Sequence, residues 1–232
     1  MTQADRYEDD EPLIPEWAAG VYFTVGLIVA AVYLGIDLFT ASMPGMAALK
    51  ALGIVLLGVY ALLKKAPVLA LALLLSAAGD YALALGENAL VYGIGFFASA
   101  HLVYLAIFLS RIASGGLRRD GFILAAVLIA YGLAMLWWLQ PGMGALAGPA
   151  SAYVGVIVLM AIAAALVNGS RLILIGALFF VVSDSILAAR WFQGAFDFGF
   201  PDWGGAMVWI TYVAAQALLA RGIAEHPAPP RP

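Results

Sequence analysis

Apolar residues fall along this chain in long unbroken runs, with no strand-like alternation. Runs of about twenty recur between short polar or turn-forming clusters, the length an α-helix needs to cross about 30 Å of hydrocarbon. The pattern predicts eight membrane-spanning helices, at roughly 17–37, 45–63, 66–86, 89–110, 121–140, 148–167, 171–191 and 203–222. Turn chemistry separates them: Met43-Pro44-Gly45, Lys64-Lys65-Ala66-Pro67, Gly86-Glu87-Asn88, Ser114-Gly115-Gly116, Gln140-Pro141-Gly142 and Asn168-Gly169-Ser170. A longer loop covers Phe196 to Trp203. The expected class is all-α, a polytopic helical bundle in a membrane. Residues 1–16 read as a polar, acidic tail with no signal-peptide character, 17–222 as one integral domain, and 223–232, ending HPAPPRP, as a disordered tail.

Composition narrows the picture further. Of 232 residues 65% are hydrophobic and 11% charged, too few polar groups to cover a water-soluble globule. Cysteine is absent, which excludes disulfides, thiolate catalysis and thiolate metal sites. No nucleic-acid partner is expected. The net charge of −3 matters less than where the charges sit. Of the eleven Lys and Arg, only Lys50 and Arg190 fall on one side of the eight-span topology; all others fall on the opposite side. Basic residues favour the cytoplasmic side, so both termini are expected there. In a bacterium the membrane would be the inner, or plasma, membrane.

The acids carry the functional signal. Most of the fourteen Asp and Glu lie in tails or connectors, and Asp37 lies near the end of the first span; Asp80 and Asp184 lie well inside spans. A charge at such depth costs roughly 2.5–3.5 kcal/mol on insertion scales. Counting from Lys65 and Arg171, both acids sit about 20 Å from the cytoplasmic face on spans of the same direction, level with one another. They share the local pattern D-x-x-L-A, a faint sign of a duplicated four-helix unit. Small residues flank them: Ser76, Ala77, Ala78 and Gly79 before Asp80, Ser183 and Ser185 around Asp184. Such residues allow close helix approach, and hydroxyls are able to satisfy a buried carboxyl, so both acids are expected to face the bundle interior. The bland alternative is a purely structural pair, protonated and hydrogen-bonded to Ser, His or backbone.

Other polar residues are candidates for the same chamber. His101 and Tyr104 share a face of the fourth span at i, i+3, and Tyr212 and Gln216 pair at i, i+4 on the last. Tyr153 is a further lining candidate. Lys65, just before Pro67, is suited either to hold a phosphate at a helix N-terminus or to snorkel and fix topology. With one interior histidine the chain lacks the ligands of a typical zinc site, and neither metal nor cofactor is expected.

The strings SAAGDYALAL, GIGFFASAHLVYLAIF, GALFFVVSDSILAARWF and TYVAAQALLA resemble the YhhN-like family, whose characterised animal and bacterial members are lysoplasmalogenases. The resemblance runs from about Lys65 to Leu219. It maps the family's paired aspartates onto Asp80 and Asp184, and its histidine and tyrosine onto His101 and Tyr104. It implies hydrolysis of the vinyl ether bond of lysoplasmalogens, giving a fatty aldehyde and a glycerophospho-ethanolamine or -choline. The partner so implied is a single-chain ether phospholipid within the bilayer.

The residues fit that chemistry on their own terms. Vinyl ethers cleave by protonation at the β-carbon, and water then captures the oxocarbenium ion. Two carboxyls in one low-dielectric cavity favour a shared negative charge, one group protonated and one ionised, as in the acid pairs of glycoside hydrolases. The order of roles stays open at this point. A proton-coupled transporter of a small or lipid-like solute is the alternative, since membrane acids also serve proton relays. An intramembrane aspartyl protease fits poorly: Ala77-Ala78-Gly79-Asp80 lacks the first glycine of its G-x-G-D motif, and no Pro-Ala-Leu segment follows. The last spans contain no lysine for a retinal Schiff base.

Overall fold

The computed structural model describes residues 15–40, 43 and 45–226. It contains α1 (Glu16–Phe39), α2 (Met46–Leu63), α3 (Pro67–Ala84), α4 (Leu90–Gly115), α5 (Phe122–Leu139), α6 (Ala147–Leu166), α7 (Arg171–Gln193) and α8 (Trp203–Ala224). Each is long and apolar enough to cross a membrane, and each matches one of the eight expected spans. The fourth runs on to Gly115, past its expected end near residue 110. Most of the expected N-terminal tail (1–14), the end of the C-terminal one (227–232), and Pro44 lie outside the described residues; α8 itself continues to Ala224, two residues into the stretch read as tail.

The helix ends follow local chemistry. Pro67 opens α3 in the first turn, where its missing N–H has no intrahelical partner to lose. Ser170 and Asp202 cap α7 and α8, their side-chain oxygens accepting from the backbone N–H groups of Leu172 and Gly205. Gly194 ends α7 at φ 62°, a left-handed turn that a side chain would oppose.

Successive helices α1 to α4 pack as neighbours; α4 then passes over α5 to pack on α6. Helix α5 lies outside, against α6 and the edge of α7. Helices α7 and α8 form a close pair, and α8 returns to α1, α2 and α3, closing the bundle. Without a hydrophobic force between helices in lipid, close approach must come from small residues. A Cβ on Gly26 of α1 would stand 2.9 Å from the Gly53 carbonyl oxygen of α2. Tyr104, Phe108 and Phe180 are fully buried at the centre, while Ile123 and Trp137 lie on the outside, where an apolar surface suits lipid.

The two ends of the bundle differ. At the end bearing Lys64, Lys65, Arg118, Arg119 and Arg171, polar ties cross between helices. The buried Arg111 of α4 donates to the carbonyls of Ile223 (2.7 Å) and His226 (2.6 Å), closing the C-terminus of α8. Asn168 Nδ2 donates to the carbonyls of Gly115 and Gly116, fastening the α6–α7 turn to the end of α4. The opposite end holds a cavity.

Candidate active site

That cavity, of about 240 Å³, reaches in from the end bearing Lys50 and Arg190 and is walled by polar and apolar groups in nearly equal measure. Asp80 and Asp184 both line it, although 104 positions of chain separate them (184 − 80). Helix α3 presents Asp80 because Ser76, Ala77 and Gly79 form its buried side, and the carboxyl follows them inward. Asp80 is 2% exposed. Its Oδ2 accepts a hydrogen bond of 2.6 Å from the Tyr212 hydroxyl of α8.

Asp184 sits on α7 with its side chain 14% exposed. Its Oδ2 accepts from the Tyr153 hydroxyl of α6 and lies 3.2 Å from His101 Nε2 of α4. His101 Nε2 is also 2.9 Å from the Tyr153 oxygen, so three groups from three helices converge. We assign the imidazole proton to Nε2, which faces these oxygens, because the buried Nδ1 meets no partner among the described residues. Phe180 fits edge-on between the two halves, its centroid 4.5 Å from His101 and 5.5 Å from Tyr212. It holds both acid-binding side chains against α7.

The other expected residues distribute in three ways. Tyr153, Ser183 and Tyr212 line the cavity with the two acids, while His101 stands behind Asp184. Tyr104 donates to Gln216 Oε1 at 2.7 Å in the packed core, a link between α4 and α8 below the chamber. Ser76 and Lys65 are not among the lining residues: the Ser76 hydroxyl bonds back to the Ala72 carbonyl, and Lys65 is exposed at the α2–α3 turn, at the other end of the bundle. The expectation that neighbouring serines satisfy the acids is corrected. Ser183 donates to the Val208 carbonyl and Ser185 to the Val181 carbonyl, while tyrosines and a histidine serve the carboxyls. Adjacent helix positions point about 100° apart, which aims the Ser183 and Ser185 hydroxyls at backbone instead of the Asp184 carboxyl. Ser76, four positions before Asp80 on the same face, bonds within its own helix.

Several lining residues were not singled out from sequence for this chamber: Tyr33 and Asp37 of α1, Lys50 of α2, Arg190 of α7, and Trp209 of α8. Two carried a signal, because Lys50 and Arg190 are the exceptions to the charge bias. Arg190 is engaged, donating to Asp202 Oδ2 and to the Phe196 carbonyl, each at 2.9 Å.

Two apolar clefts meet the polar chamber at Asp184 and Tyr153. One runs between α4, α6 and α7 past Ile94, Val154 and Leu187; the other runs between α5, α6 and α7 past Met135, Ile157 and Val181. Asp184 therefore stands where a charged compartment and two greasy ones join. Such a junction can bring a carboxyl group to an amphipathic molecule.

A sequence model described as the YhhN family matches residues 45–223. Two proteins named lysoplasmalogenase, from Mycobacterium bovis and Mycobacterium tuberculosis, are each 31% identical to the chain over 157 residues. The match takes in 65% of this chain but 58% of theirs, so it spans less than two thirds of their length. No solved structure matches at a significant level.

Proposed function

Because the chain belongs to the YhhN family, we propose that it hydrolyses the vinyl ether bond of a lysoplasmalogen-type lipid, releasing a fatty aldehyde and a glycerophospho-alcohol. The observation that carries this reading is the chamber itself: two aspartates from distant helices line one cavity, and one of them also borders apolar clefts. The name of the relatives agrees with it.

The partners divide the labour between the acids. Two donors converge on Asp184 Oδ2, an arrangement suited to an ionised carboxylate. Asp80 is nearly sealed from solvent and has one donor, which suits the proton carrier. Asp80 gives its proton to the β-carbon of the vinyl ether, and the ether oxygen's lone pair forms the oxocarbenium ion. The Asp184 carboxylate stabilises that cation and takes a proton from the water that adds to the α-carbon. The hemiacetal then collapses: its hydroxyl proton returns to Asp80, the C–O bond to glycerol breaks, and Asp184 protonates the departing oxygen. Both acids end as they began.

The lipid tail would occupy an apolar cleft beside Asp184, and the headgroup would lie toward the Lys50 end. With basic residues facing the cytoplasm, both termini are cytoplasmic and the chamber opens to the other side. A transporter reading is less well supported, because all eight helices run without the mid-membrane breaks that such proteins use.

The test is aldehyde release from a lysoplasmalogen by purified protein in detergent. Wild type is expected to release aldehyde, while Asp80→Asn and Asp184→Asn, folded by thermal melting, each lose about 10²-fold or more. Equal rates in all three proteins would remove the acids from the mechanism. No aldehyde from any vinyl ether lipid would remove the reaction.

A further inference from the structure

Lys50 has no part in the chemistry above, yet it lines the same chamber as both acids. It lies in the second turn of α2. It also sits at the end of the bundle that is poor in basic residues. Among the described residues no carboxylate pairs with it. What holds it is aromatic: its Nζ lies 5.9 Å from the centroid of Tyr33 and 5.5 Å from that of Trp209. Trp209 is itself fixed, its indole N–H donating to the Ala30 carbonyl at 2.9 Å. The ammonium is thus steadied on two rings, with no carboxylate in contact among the described residues.

An opposite charge stands nearby. Asp37 is exposed on the same cavity wall and accepts a 3.2 Å hydrogen bond from the Tyr33 hydroxyl. Tyr33 therefore touches both groups, with Asp37 at its hydroxyl and Lys50 against its ring, yet the two charges do not pair with each other. A cation and an anion held on one aromatic platform and left apart match a zwitterion.

We propose that Lys50, steadied on Tyr33 and Trp209, binds the phosphate of a zwitterionic lysophospholipid headgroup, with Asp37 facing its amine. This rests on the reading of the chamber as a lipid hydrolase site, and places the headgroup on the α1–α2 wall while the reacting bond reaches Asp80 and Asp184.

Equilibrium binding in dodecyl maltoside tests the subsite without relying on turnover. The probes are radiolabelled oleoyl-lysophosphatidylethanolamine, oleoyl-lysophosphatidic acid and monooleoylglycerol, three single-chain esters that differ only in headgroup. Wild type is expected to prefer the phosphorylated lipids. Lys50→Met should weaken both phosphorylated probes about 10- to 100-fold and leave monooleoylglycerol unchanged, with Lys50→Arg restoring most of the loss. Asp37→Asn should lower the preference for the ethanolamine lipid over lysophosphatidic acid. Equal weakening of all three probes by Lys50→Met would make Lys50 a structural counter-charge and overturn the proposal, as would no weakening at all. An unchanged ethanolamine preference in Asp37→Asn would overturn the amine half. Phosphate-dependent binding through Lys50 in a protein that releases no aldehyde would reject the hydrolase reading while leaving the subsite standing.

Discussion

A carboxyl buried at the depth of Asp80 keeps its place only if something answers its hydrogen-bonding capacity, and here the answer is a single phenol, Tyr212. Asp184 is differently placed, with Tyr153 and His101 both on one oxygen. Removing one donor should therefore hurt the two acids unequally. Among the described residues Tyr212→Phe leaves Asp80 with no hydrogen-bond partner, and it is expected to lower kcat about 10- to 100-fold, the worth of a hydrogen bond to a charged or charge-developing group. Tyr153→Phe leaves His101 on Asp184 and is expected to cost several-fold less. Steady-state aldehyde release by the two variants, side by side, checks the order; a larger loss in Tyr153→Phe would reverse the roles assigned to the acids. That the two aspartates turn inward, onto one cavity, was legible in the sequence, because a carboxylate inside an apolar run costs too much to face lipid. Their partners were less so. Tyrosine is at home facing lipid, interface or core, and Asp37 lies close enough to a span end that a charge there is ordinary, while Lys50 stood out only by the side on which it falls.

Helices place these groups, and one contact between helices matters most. Gly79 precedes Asp80, and a Cβ built there would fall 2.7 Å from two ring atoms of Phe97 on α4. Phe97 in turn meets the ring of Tyr212 edge-on at 5.7 Å and lines the chamber. Glycine costs a helix roughly 1 kcal/mol relative to alanine, so Gly79→Ala would favour α3 on propensity alone. The packing argument predicts the opposite net result. The added methyl displaces Phe97 toward Tyr212, lowering both thermal stability and aldehyde release, and Gly79→Ala with Phe97→Leu should recover part of each. Wild-type melting and activity in Gly79→Ala would show that the α3–α4 contact is slack. At this scale apolar run length read the spans well, and its one clear shortfall was the end of α4. The run stops at Arg111 because arginine marks a boundary by hydropathy, whereas in the fold Arg111 is buried and caps the carbonyls of α8. Tertiary bonding turned a boundary signal into an interior residue.

Across the whole molecule the charge bias and the chamber point to the same axis. Most basic residues gather at one end of the bundle, and the chamber opens toward the other, where the two exceptions line its wall. If cytoplasmic retention of Lys and Arg sets the topology, the headgroup region of the chamber faces away from the cytoplasm. The proposed lipid substrate would then enter from the outer leaflet. The absence of cysteine makes this directly measurable, since a single introduced thiol is the protein's only one. Asn88, in the exposed turn between α3 and α4, lies at the chamber end, and Asp120, exposed between α4 and α5, lies at the basic end. Asn88→Cys is expected to react with a membrane-impermeant maleimide in intact bacterial cells. Asp120→Cys should react only after the membrane is opened. The reverse pattern would put the chamber on the cytoplasmic side without moving either acid from the cavity wall, because their geometry depends on the bundle and only their access depends on its orientation.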